Sequence, residues 1–256
     1  MKKKKVIKII IIVVLVLILL YAIGIGLWFA NYKGYFSKGN KSIYSDSKAA
    51  ALDNSPLEGM HIAFLGSSVT EGARSKGVSF VEYICKRNNC TYVKEAVSGT
   101  TLVDNGETSY VQRMLNNIDT TEKFDLFVCQ LSTNDASQNL ALGEISAGMS
   151  LEEFDTSTII GAMEYIICYV GQTWNCPVVF YTGTKFDNEL YPQMISALGK
   201  LQEKWGVEVI DMWNGLDVDI ENYSLYMADD IHPTQAGYLE WWTPFMEQRL
   251  YEMVKE

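Results

Sequence analysis

The stretch HIAFLGSSVTEG, His61 to Gly72, decides how the rest of the chain is read. A mostly apolar run stops at Gly66, and two serines follow at once. A short apolar run bounded by a turn residue reads as a buried strand. Similar runs recur downstream: TYVKEAV (91–97), DLFVCQL (125–131), PVVFYTG (177–183) and VEVIDM (207–212). Between them lie amphipathic stretches at 77–89, 107–118, 153–174 and 189–205, with a last one over 234–254. This alternation predicts an α/β fold, a mostly parallel five-stranded sheet with helices on both faces. In such a sheet ligands bind beyond the carboxyl ends of the strands.

Every polar motif of interest falls at that edge. GSS follows the first strand, SGTT (Ser98 to Thr101) the second and STND (Ser132 to Asp135) the third. DDIHPTQAGY, Asp229 to Tyr238, follows the fifth and opens the last helix. A serine hydroxyl needs a base to become a nucleophile, and histidine is the usual one near neutral pH. The chain has two histidines. His61 begins the strand that Ser68 terminates, so it belongs at the opposite edge, with a surface or strand-start role. His232 is left. An imidazole in that role needs a carboxylate to fix its tautomer. Asp229, three residues earlier, folds back across a turn to Nδ1 more readily than Asp230, which is left to solvent or to capping. Acyl transfer also needs donors for the developing oxyanion, and three are available: the backbone N–H groups of Ser68 and Gly99 and the side-chain amide of Asn134.

The order Ser68, Gly99, Asn134, His232 resembles the four blocks of the SGNH (GDSL-like) esterases and lipases, over nearly all of 59–250. The closest piece is DDIHPTQAGY, which is similar to the family's D-x-x-H-P-T-x-x-G-Y. The resemblance implies a flavodoxin-like three-layer α/β/α sandwich. It also implies a catalytic triad of Ser68, Asp229 and His232, an oxyanion hole of Ser68, Gly99 and Asn134, and no metal or cofactor. Two positions depart from the family pattern: Ser67 stands where its aspartate would be, and Ser132 where its third block has glycine.

The first thirty residues are a separate unit. MKKKK and Lys8 precede Ile9–Ala30, a run without a charge. A bilayer core needs roughly 20 apolar residues in a helix, whereas a cleaved signal has an apolar region of about 7–15. The expectation is an uncleaved signal anchor, with its lysines cytoplasmic and the remainder outside; a cleaved signal is the alternative. Residues 31–58 are polar and without period, the composition of a tether. Residues 59–256 form one catalytic domain by size. Five of the 21 Lys+Arg lie in the first eight residues, so the rest carries 16 against 31 acids, a net charge of −15. That balance argues against nucleic acid as a partner. Cys85 with Cys90, and Cys168 with Cys176, are spaced for small disulfide loops, but with Cys129 in an apolar strand the total is odd and the pairings stay open. Helical periodicity places at least one of Trp241 and Trp242 in the core rather than on a sugar-stacking platform.

Together these readings predict a membrane-anchored extracytoplasmic serine esterase acting on short acyl esters, O-acetyl groups of surface glycans among them. Two alternatives stand beside it. The same acyl-enzyme passes its acyl group to a sugar hydroxyl, or the fold is kept as a binding module without turnover.

Overall fold

Strand β1 (His61–Gly66) is the second strand of a five-stranded sheet in the computed structural model, which describes residues 2–255. Met1 and Glu256, the outer ends of the expected anchor and catalytic domain, lie outside the described residues. The other strands are β2 (Thr91–Ala96), β3 (Leu126–Gln130), β4 (Val178–Tyr181) and β5 (Glu208–Ile210). Their order is β2-β1-β3-β4-β5 and every pairing is parallel, with His61 beside Thr91, Ile62 beside Leu126, Phe127 beside Val178 and Val179 beside Glu208. This is the doubly wound order whose chain reversal falls between β1 and β3, where ligands bind in such sheets.

The strands alternate their faces with period two. Ala63, Leu65, Phe127, Cys129 and Phe180 face one core, and Ile62, Phe64, Val128, Val179 and Tyr181 the other. Helices α4 (Tyr110–Asn117), α6 (Ile159–Thr173) and α7 (Tyr191–Trp205) cover the first face. Helices α3 (Phe80–Asn88) and α11 (Thr243–Met253) cover the second. The three-layer α/β/α sandwich expected from the sequence is present. Local chemistry sets the helix ends. Ser79 and Glu82 form a reciprocal capping box at the start of α3, and Thr158 accepts the Gly161 N–H at the start of α6.

The last helical stretch differs from the single run expected over 234–254. After two short helices, α8 (Met212–Gly215) and α9 (Tyr223–Tyr226), it is built from α10 (Gln235–Gly237), a π turn (Tyr238–Trp242) and α11. Pro244 supplies the reason: it has no N–H to continue the ladder, so the turn before it widens. Trp242 is fully buried against Phe80, Tyr181 and Tyr238, while half-buried Trp241 stacks on Tyr226. All five cysteines are free thiols.

Helix α1 (Lys2–Tyr32) is long and apolar enough to cross a membrane, and its residues 3–29 are exposed. An all-round apolar helix of that length suits a bilayer rather than water.

The segment 31–58, expected as a tether, packs on the domain. It runs back along the domain as three single 3₁₀ turns, Lys38–Asn40, Ser42–Tyr44 and Asp46–Lys48. Buried Asn40 fastens it: Nδ2 donates to the carbonyls of Gly34 (2.8 Å) and Arg74 (2.7 Å), and Oδ1 accepts the Gln235 N–H (2.7 Å). Further along, Tyr83 Oη donates to the Tyr44 carbonyl, the Leu52 N–H donates to the Arg87 carbonyl, and Leu57 enters the core. Composition alone reads as a linker because the residues that hold this strap are polar ones making long-range contacts. Replacing Asn40 with Ala leaves several buried groups unpaired, each at a cost of about 1–3 kcal/mol. Asn40→Ala is therefore expected to expose residues 31–48 to limited proteolysis while the sheet stays intact. Cleavage there at the wild-type rate would show that the strap is not held as described.

Candidate active site

The loop that carries Ser68 is shaped by what surrounds β1. A Cβ on Gly66 would lie 1.8 Å from Thr70 Oγ1, so only glycine lets the chain turn this tightly into α2 (Ser68–Glu71). The Gln130 side-chain oxygen, at the end of β3, accepts from the Ser67 N–H (2.9 Å) and from Thr70 Oγ1 (2.8 Å). Thr70 Oγ1 also meets Tyr181 Oη at 2.6 Å. Ser67, which replaces the aspartate of the family pattern, is fully buried here, and Gln130 holds the turn. Ser68 opens α2, where the first N–H groups have no intrahelical acceptor.

The histidine loop is a tight return. Met227 and Pro233 form an antiparallel bridge, the Ala228 N–H donates to the His232 carbonyl (2.8 Å) and the Thr234 N–H to the Tyr226 carbonyl (2.8 Å). Inside it, Asp229 Oδ1 accepts the backbone N–H groups of Ile231 (3.0 Å) and His232 (2.9 Å) and sits 2.7 Å from His232 Nδ1. On the other side of the ring, Nε2 lies 2.8 Å from Ser68 Oγ. A carboxylate only accepts, so Nδ1 carries the proton and Nε2 accepts from the serine hydroxyl. Partial burial alone would raise the Asp229 carboxyl, but the bond and charge of His232 and the two backbone donors outweigh it and bring it to about 2. Asp230 stays exposed. His61 is at the amino end of β1, 2.8 Å from Thr91 Oγ1 and stacked on Phe124, away from these loops.

The other two residues expected to supply donors, Gly99 and Asn134, lie in the second and third loops. Gly99 has φ +81°, the left-handed region that favours glycine. Asn134 Nδ2 donates one proton to the Thr100 carbonyl (2.8 Å), which orients the amide and leaves its second N–H uncommitted by that bond. Ser132, in place of the family's glycine, caps α5 (Thr133–Ser137) by accepting from Asn134 N (3.2 Å) and Asp135 N (3.4 Å), and donates to the Thr100 carbonyl (3.5 Å).

Three residues that sequence reasoning passed over tie these loops together. Buried Asp135 accepts the N–H groups of Leu102 (2.8 Å) and Val103 (3.0 Å); desolvation still lifts its carboxyl above the ordinary value. Buried Arg113 reaches from α4 to the Gly66 carbonyl (2.7 Å) and Thr100 Oγ1 (3.0 Å). Glu71 accepts the N–H of Ser98 at 2.9 Å and its hydroxyl as well. Asp135 lies inside the quoted STND motif, so its place was visible; the partners of Arg113 and Glu71 depend on the tertiary fold. A cavity of about 560 Å³ between Leu142, Ile145, Pro192 and Lys200 shares no residue with the four loops. Among the described residues no cluster of three or more His, Cys, Asp or Glu is arranged to hold a metal ion.

A model of the GDSL-like lipase/acylhydrolase family matches residues 64–239. Among solved structures, a protein from Lactobacillus plantarum has a TM-score of 0.62 at 17% identity, covering 77% of this chain and 97% of its own. The lipase/acylhydrolase from Enterococcus faecalis has a TM-score of 0.53 at 18% identity, covering 76% of this chain and 96% of its own. A family two carbohydrate esterase from Clostridium thermocellum, in complex with cellohexaose, has a TM-score of 0.54 at 14% identity, covering 77% and 65%. At these identities the likenesses establish the fold. No curated protein sequence matches the chain.

The lowered Asp229 carboxyl links stability to pH. Its contribution is full above the ordinary value of 3.8 and is lost as pH falls through about 2. The thermal midpoints of wild type and Asp229→Asn are expected to differ near pH 5 and to converge as pH approaches 2. A gap of constant size across that window would contradict a charge-based contact.

Proposed function

The chain belongs to the GDSL-like lipase/acylhydrolase family, and we propose that it is a membrane-anchored serine esterase whose catalytic domain, beginning near residue 59, faces outward and cleaves short acyl esters. The observation that carries this reading is the relay Ser68 Oγ–His232 Nε2 (2.8 Å) and His232 Nδ1–Asp229 Oδ1 (2.7 Å).

In the proposed reaction Ser68 Oγ attacks the acyl carbon while its proton passes to His232 Nε2. Charge moves onto the carbonyl oxygen, where the N–H groups of Ser68 and Gly99 and the Asn134 amide receive it. The bond to the alcohol breaks as His232 returns the proton to the departing oxygen. A water, deprotonated by the same nitrogen, then attacks the acyl carbon; the bond to Ser68 Oγ breaks, His232 returns the proton to Oγ, and the acid leaves. Asp229 holds the imidazole in its donor-at-Nδ1 tautomer throughout and stabilises its charged form. No step in this sequence calls on a cofactor.

The anchor is proposed from α1 and the lysines before it, with the N-terminus cytoplasmic. An outward-facing domain held at the cell surface supports surface-borne acyl esters, O-acetyl groups of glycans among them, as substrates.

Ser68→Ala and His232→Ala should each abolish hydrolysis of a soluble acetyl ester, and His61→Ala should not. Asn134→Ala should lower kcat by about 10²–10³ with KM nearly unchanged, because the donor acts on charge that develops in the transition state. Equal turnover by wild type and Ser68→Ala would end this reading. A rise in KM with kcat intact would remove Asn134 from the oxyanion hole.

A further inference from the structure

The chain that leaves α1 returns to the catalytic edge through one guanidinium. Arg74 follows α2, and its Nη1 donates to the carbonyl of Tyr32, the last residue of α1, at 2.7 Å. The guanidinium carbon also stands 5.3 Å from the Tyr32 ring centroid, within cation–π range. On its other side, Arg74 Nε lies 3.4 Å from Asp229 Oδ2. That nitrogen is buried and has no aligned hydrogen-bond acceptor, so the contact is ionic. The Arg74 backbone is fixed too, since its carbonyl accepts from Asn40, which also holds the Gln235 N–H three residues beyond His232. Lys33, the next residue after Tyr32, pairs with Glu71 at 2.9 Å.

The two oxygens of Asp229 are thus treated differently. Oδ1 takes every bond from its own loop, whereas Oδ2 faces Arg74. A carboxylate turns easily about its last torsion, which is broad rather than staggered. Its side chain keeps 43% of its surface accessible, so packing alone does not stop that turn. The three bonds to Oδ1 oppose it, and a cation on Oδ2 adds to them by holding the other oxygen away from the imidazole.

We propose that Arg74 is a positioning residue that bridges the Tyr32 carbonyl to the Asp229 carboxylate and steadies that carboxylate, making the end of the N-terminal helix a working part of the catalytic edge. The proposal rests on the Ser68–His232–Asp229 reading. It places the site within the reach of one arginine side chain from the helix end, so the anchor sets the geometry of the site as well as its location.

The test uses the full chain in detergent with a soluble acetyl ester. Arg74→Met keeps much of the stem and removes the charge and donors; kcat should fall by about tenfold or more, a loss in the range small misplacements cause, with KM within twofold. The thermal midpoint should stay within a few degrees of wild type. Arg74→Lys, whose ammonium can still meet Oδ2, should recover a large part of kcat. Unchanged kcat in Arg74→Met overturns the proposal while leaving the triad standing. Equal loss in both variants, in step with a large drop in thermal midpoint, also overturns it, because the role would then be structural. A wild type that neither hydrolyses the ester nor reacts with a fluorophosphonate at Ser68 refutes the triad reading and this proposal with it.

Discussion

The hydrogen bond between Ser68 Oγ and His232 Nε2 joins residues 164 positions apart, and the rest of the fold is arranged so that it can form. Neither residue has a local reason to be near the other. Ser68 follows the first strand, and His232 lies in the return that leads into the last helical stretch. What brings them together is direction: with all strands parallel, the chain emerges from each of them at one edge. A register slip by one residue would send every inward side chain to the opposite face. The two apolar faces of the sheet therefore protect the contact by fixing the strands beneath it.

The loops themselves are held by buried polar groups. Gln130 fixes the turn before Ser68, Asp135 and Arg113 fix the Gly99 loop, and Asn134 rests on that loop through Thr100. Such groups contribute modestly when paired, but leaving one unpaired is costly. Removing one partner penalises the displaced loop, which keeps the edge in one arrangement. The strap and Arg74 extend the same logic to the chain leaving α1. The two departures from the family pattern become intelligible in this light. Ser67 needs no charge because Gln130 supports its backbone, and Ser132 uses its hydroxyl to cap α5.

Much of this was legible in the sequence. The strand positions followed from short apolar runs with turn residues, since period and length are local properties. The proximity of Asp229 to His232 was equally local, because a three-residue return brings the carboxylate to Nδ1. The elements that escaped notice depend on partners far along the chain. Asn40 looks like any polar linker residue until Gln235 is known to lie against it, 195 positions later. Arg113 sits on an amphipathic helix as an ordinary cation, yet its guanidinium is buried between two loops. The π turn before Pro244 was missed for another reason: its side-chain pattern still follows a helical period.

An activated serine reacts with a fluorophosphonate whatever its natural substrate, so chemical labelling reads the role proposed for Ser68 directly. The full chain would be treated with a fluorophosphonate, digested, and its peptides analysed by mass spectrometry. One adduct is expected, on the Ser68 hydroxyl, and it should be lost when His232 is replaced by alanine. An unlabelled protein, or an adduct on another residue that persists without His232, would contradict that role.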